Sequence, residues 1–144
     1  MTPAQFSRQM AKAAAALPRT LAAAEGASLK QAKALAITLS SGTLTRAELR
    51  RRGHPYAVRN PTSPNPQVIN AQGSVFRNSF QIVPTTFSGR MVSSVINVAD
   101  YSGYLANGTR FMVKRPLPEA VQSAVRAPRL ARTFAAVERA WLGR

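Results

Sequence analysis

The chain has 144 residues, 45% of them hydrophobic, which allows one modest core and matches the usual size of a single domain. Twenty lysines and arginines stand against five acids, a formal charge of +15 that favours anionic partners and opposes compaction through self-repulsion. With no cysteine, disulfides and thiolate metal sites are excluded, and with them the small stapled secreted domains.

The first forty residues are rich in alanine and poor in acids, a composition shared with targeting peptides. Here Arg8, Lys12, Arg19, Lys30 and Lys33 interrupt every apolar run well before the ~20 residues a membrane span needs, and Pro18-Arg19 splits the one candidate apolar core of a leader. Neither a cleaved leader nor a membrane helix is expected. Phe6, Met10, Ala13, Ala14 and Leu17 recur at helical spacing, and Leu21, Leu29, Ala32, Leu35, Ala36 and Leu39 continue the stripe. Two helices, or one kinked at Pro18, fit this pattern. Gly26 weakens the case for an unbroken second helix, and Ser40-Ser41-Gly42 is a stop signal. The small alanines suit close helix packing or a subunit contact.

Thr45-Arg46-Ala47-Glu48 has the spacing of a capping box, in which the hydroxyl and carboxylate each satisfy a backbone N–H at a helix start. The helix that follows should end by Gly53, placing Arg50, Arg51 and Arg52 in its last turn, where the dipole favours cations. Pro55, Pro61, Pro64 and Pro66 then make residues 53–73 a loop without its own core. Phe76, Phe80 and Ile82, followed by Val92, Ile96 and Val98, give period-two patterning between turn signals at Pro84 and Ser88-Gly89, the pattern of an antiparallel hairpin. Asp100 is a candidate cap for a short helix carrying Tyr101, Tyr104 and Leu105, stopped by Asn107-Gly108, with a third strand from Arg110 to Lys114. Pro116 and Pro118 open a helical stretch to Arg126. After Pro128, the positions Leu130, Phe134, Val137 and Trp141, spaced four, three and four apart, predict an amphipathic helix. The expected fold class is α+β: N-terminal helices packed on a small antiparallel sheet, with a C-terminal amphipathic helix. Its parts are helical over 1–52, loop over 53–73, β-rich with a short helix over 74–115, and helical over 116–144.

The residues hold little catalytic chemistry. His54 is the sole histidine, and Glu25, Glu48, Asp100, Glu119 and Glu138 are scattered without the pairing that acid–base or metal chemistry uses. Neither Gly42-Thr43 nor Gly108-Thr109 completes a phosphate loop. No catalytic, cofactor or metal residue is expected. The basic clusters, Arg50-Arg51-Arg52, Lys114-Arg115, and Arg126, Arg129, Arg132 and Arg139, have two readings: contact with phosphates or an acidic partner, or a solvated face that maintains solubility. With so few acids to balance them, anionic contact by at least one cluster is the favoured reading. No zinc-finger, RNA-recognition or homeodomain signature is present, and the aromatics suit a core better than base stacking.

The most specific signal is the run Ala99-Asp100-Tyr101-Ser102-Gly103-Tyr104-Leu105-Ala106-Asn107-Gly108-Thr109-Arg110-Phe111-Met112-Val113-Lys114-Arg115-Pro116-Leu117. It resembles the segment of the neck or tail-completion family of long-tailed bacteriophages in which a tyrosine-containing turn precedes Gly-Thr, Met, and Arg-Pro before an apolar residue. Gly73-Ser74-Val75-Phe76-Arg77-Asn78-Ser79-Phe80 is similar to the strand-opening motif upstream of it, with Ser74 displaced. The resemblance covers residues 70–125. Ala106-Asn107 stands where the family commonly has an acid before Gly-Thr.

The resemblance implies an α+β virion subunit at the head–tail interface, assembled in the host cytoplasm, with no cofactor and no membrane contact. Its motif loop would comprise Tyr104, Gly108, Thr109, Arg115 and Pro116. The implied partners are further copies in a homo-oligomeric ring of six or twelve, a portal-side adaptor or stopper, and a tail terminator or tail tube protein. Genomic double-stranded DNA in the channel is a further possible contact. Rings close through heterologous contacts, so each copy must offer two different patches, and the alanine-rich N-terminal helices and the Trp141 helix are separate candidates. Two alternatives of other classes remain: a sequence-nonspecific basic DNA-binding protein and a basic amphipathic membrane-active protein.

Overall fold

The computed structural model describes residues 2–42, 51, 74–87, 90–110 and 114–142. In chain order these form α1 (Pro3–Leu39), α2 (Ser74–Asn78), β1 (Phe80–Phe87), β2 (Arg90–Asn97), α3 (Ser102–Asn107) and α4 (Leu117–Leu142). The fold is α+β, helices with one small antiparallel sheet and a long C-terminal helix. The Thr45–Glu48 capping box and the 53–73 loop lie outside the described residues, as do Arg50 and Arg52; Arg51 is helical and exposed.

α1 begins with a reciprocal cap. The Thr2 N–H donates to Gln5 Oε1 at 2.8 Å and the Gln5 N–H to Thr2 Oγ1 at 3.3 Å, with Pro3 at the first helical position, where its missing N–H costs nothing. The helix then runs 37 residues with Pro18 inside it, so one helix forms where two were an option. An interior proline costs about 3 kcal/mol. Here thirteen alanines, the best helix formers, lie along the same helix and offset that loss. The buried hydroxyls of Ser28 and Ser40 donate back to the carbonyls of Ala24 and Ala36 at 2.9 and 2.7 Å, which satisfies their O–H groups within the helix. The stop falls after Leu39, at the expected Ser-Ser-Gly.

Gly26 also sits inside α1, and a Cβ built there would meet nothing within 4 Å. Its flexibility is therefore a cost with no packing return. Gly26→Ala is expected to stabilise the protein by about 0.5–1 kcal/mol, read as a rise in calorimetric Tm. A lower Tm would mean that the glycine answers a constraint the helix does not show.

The hairpin pairs β1 with β2 in the register Phe80↔Asn97 to Phe87↔Arg90. Three details differ from the sequence reading. Phe76 lies on α2, one turn ahead of the strand. Pro84 is no turn signal but a strand residue opposite Ser93, tolerated because a two-stranded sheet is edge on both sides. Ile82 faces Val95, whereas Ile96 faces Gln81, so Phe80 and Ile82 share one face while Val92 and Ile96 share the other. Asn97 closes the hairpin onto its neighbours: Nδ2 donates to the Phe76 carbonyl at 2.8 Å and Oδ1 accepts from the Ala99 N–H at 3.0 Å. The sheet has two strands among the described residues. The proposed third strand falls largely on 111–113, outside them.

α4 is one helix of 26 residues with Pro128 inside, where the sequence suggested a break. It spans both the expected stretch to Arg126 and the expected helix after Pro128. The contacts group the chain into two compact units, Met1–Gln31 with Ala124–Arg144, and Ala32–Ser123. The core of the second unit is Ala36, Phe76, Phe80, Ala99, Leu105 and Leu117, with Ile37, Leu39, Val95 and Val121 packed against it. The Phe76 ring meets Phe80 edge-on at 5.4 Å and stacks with Tyr101 at 5.9 Å, geometries that add to plain burial. In the first unit α1 and α4 run antiparallel, since Phe6 and Gln9 meet Trp141 while Ser28 meets Arg132.

Candidate functional site

Two regions carry the residues singled out by sequence. The first is the motif segment of the second unit. α3 starts after Tyr101, whose N-cap position makes no side-chain bond, so Asp100 does not cap it. Gly108 ends it at φ 76, a conformation that disfavours side chains, and its N–H donates to the Tyr104 carbonyl at 2.9 Å. The chain returns past the helix it has just left: the Arg115 N–H donates to the Leu105 carbonyl at 3.1 Å. Pro116 then accepts from the Ala120 N–H at 3.0 Å and opens α4.

Leu105, Arg115 and Leu117 are buried, while Tyr104 and Thr109 are exposed. Arg115 is only 3% accessible, so its guanidinium belongs to the interior of this unit and lies out of reach of a phosphate backbone. Its neighbour Lys114 is exposed and bridges Glu119 at 2.9 Å. That hydrogen bond, helped by the Glu119 backbone, holds the Glu119 carboxyl below its ordinary value.

The second region is the antiparallel pair α1/α4. Arg126, Arg129 and Arg139 are exposed; Arg132 is half-buried, with Nη1 donating to Ser28 Oγ at 3.3 Å. Arg139 Nε donates to its own helix at the Ala135 carbonyl, 3.2 Å away. α1 adds Arg8, Lys12, Arg19 and Lys30 to the same unit. Those four sit among alanines in the sequence, where they act first as breaks in apolar runs; only the pairing of α1 with α4 gathers them beside the α4 arginines. Among the described residues the unit thus holds eight cations and two side-chain carboxylates, Glu25 and Glu138, and none of the eight is in an ion pair.

The amphipathic stripe of α4 is not where amphipathicity alone would put it. Ala136 and Ala140 are buried, whereas Leu130, Phe134, Val137 and Trp141 are 41–72% exposed. Phe6 and Met10 of α1 are exposed as well, and the Phe6 ring meets Trp141 edge-on with centroids 6.3 Å apart. Trp141 also lines a crevice of about 280 Å³ with Arg8, Gln9, Lys12, Ala140 and Leu142.

No cluster of metal-ligating side chains occurs among the described residues, and no described helix is long and apolar enough to cross a membrane. No protein-family model, curated protein or solved structure matches the chain significantly.

Proposed function

We propose that the protein is a non-enzymatic virion subunit of the head–tail joining type, acting as one copy in a ring of the neck or tail-completion layer. The supporting observation is the placement of Ala99–Leu117, the run on which the resemblance rests. Its described residues form the helix, the positive-φ glycine and the return through buried Arg115 and Leu117, and Ala99, Leu105 and Leu117 belong to the core of the second unit. Motif residues that a fold uses for its own core are residues whose pattern a family would keep. Tyr104 is exposed on the same segment, where a neighbouring subunit can meet it. α1 and the Trp141 helix, separate candidates by sequence, pack on each other and so offer one patch between them, and ring closure needs two.

The test is electron microscopy of a producing-cell lysate with this gene alone disrupted, counting full heads, free tails and joined particles. Heads and tails accumulating unjoined is the expected result; normal joined particles would end the head–tail reading.

A second reading, sequence-nonspecific DNA binding, is favoured by the eight cations of the first unit. It requires duplex binding by the isolated protein that weakens steeply with salt, by about 0.9 log units per log of salt for each phosphate neutralised. No retention of duplex at low salt would remove it.

A further inference from the structure

We infer that the aromatic face of the α1/α4 pair is a docking site for an acidic amphipathic helix of another protein. This holds whether or not the head–tail reading does, because it rests only on the first unit. Phe6, Met10, Leu130, Phe134, Val137 and Trp141 lie on one side of two antiparallel helices that pack through small residues such as Ala136 and Ala140. The stripe on α4 follows from spacing, since positions four, three and four apart fall on one helix face. At 41–72% exposure these six side chains leave on the order of 600 Å² of apolar surface in water. That is the upper end for a monomer and approaches the ~800 Å² one side of a standard interface buries. A long apolar face along paired helices suits a third helix laid beside them through anchors at three- and four-residue spacing.

Charge selects the occupant. The described residues of the unit carry eight cations against two side-chain carboxylates, so a second copy would bring two strongly positive surfaces together. The crevice beside Trp141 is lined by Arg8 and Lys12, two cations that a carboxylate of an acidic helix can pair with at the end of the apolar face. Glu138 follows Phe134 by four residues and precedes Trp141 by three, on the edge of the stripe. An anionic bilayer would press against that carboxylate along the whole face; a helix can meet it with one neutral or basic residue.

Trp141 is the single tryptophan of the chain and stands in the proposed seat, so its emission reports occupancy directly. The probe is a synthetic helix of about five turns, leucines at three- and four-residue spacing and glutamates elsewhere, titrated into the full-length protein beside a lysine counterpart. The expected result is a blue shift of Trp141 emission, with the glutamate helix bound at least about tenfold more tightly than the lysine helix and less tightly as salt rises. Phe134→Ser should weaken binding about tenfold, and so should Arg8→Glu with Lys12→Glu, both variants keeping wild-type circular dichroism. Three outcomes would overturn the proposal. They are equal or absent response to the two helices, an equivalent shift with phosphatidylglycerol vesicles that the glutamate helix does not compete away, or concentration-dependent self-association that Phe134→Ser abolishes.

Discussion

Phe76→Ala is expected to cost about 3–5 kcal/mol of stability, the range for truncating a buried phenylalanine. Phe76 is 3% exposed on a five-residue helix that no length of its own would hold, since isolated helices this short do not form in water. What holds it is the ring, placed between Phe80 at 5.4 Å and Tyr101 at 5.9 Å, and the Phe76 carbonyl, which accepts from Asn97 Nδ2 at 2.8 Å. Truncation leaves a cavity at the junction of α2, β1 and α3, while the main-chain carbonyl that accepts from Asn97 is retained. The check is urea unfolding followed by circular dichroism, with Phe134→Ala as the matched control. That ring is 72% exposed, so the same chemical change there should stay within about 0.5 kcal/mol. Equal losses in the two variants would contradict the assignment of inside and outside on which the core and the docking face both depend.

Much of the fold is legible in the sequence because local rules decide it. The Ser40-Ser41-Gly42 stop, the hairpin, and the short helix ended at Gly108 all follow from turn chemistry and period. The Thr2–Gln5 cap carries the same spacing as Thr45–Glu48 and is equally readable, although a targeting-peptide composition draws attention away from that end of the chain. Where the sequence reading fails, a sum outweighs a local penalty. Pro128 argues for a break, yet the amphipathic pattern of α4 carries that helix through; at Pro18 the sequence leaves both one helix and two open, and the alanine content of α1 favours one. Pro84 punctuates a sequence but not a two-stranded sheet, where half of all N–H groups face outward in any case. The candidate site divides in the same way. Exposure of Arg126, Arg129 and Arg139 is what charge alone predicts, whereas burial of Arg115 is not readable, because an Arg-Pro pair next to a lysine reads as surface. Nor does period alone reveal that the stripe Leu130, Phe134, Val137 and Trp141 faces outward. Periodicity identifies an apolar side; it does not say whether the chain itself supplies the surface that covers it.

That last distinction yields the second large effect. Ala136 is fully buried and Ala140 nearly so, while Val137 beside them is 46% exposed, so the close face of α4 is its alanine face. Helices that meet through alanine leave no room for a longer side chain, and overpacking such a contact typically costs about 1–3 kcal/mol through shifted backbones and strained rotamers. Ala136→Leu is therefore expected to destabilise the protein by that amount, although leucine is a good helix former and adds apolar surface. Val137→Leu, one position along, should be nearly neutral. Measured by thermal melts of the two variants, the pair separates two pictures of the same helix. If α4 packs through its alanines, Ala136→Leu melts several degrees lower and Val137→Leu does not. If instead the large residues form the contact in solution, the order reverses, and with it goes the uncovered face from which an acidic partner was inferred.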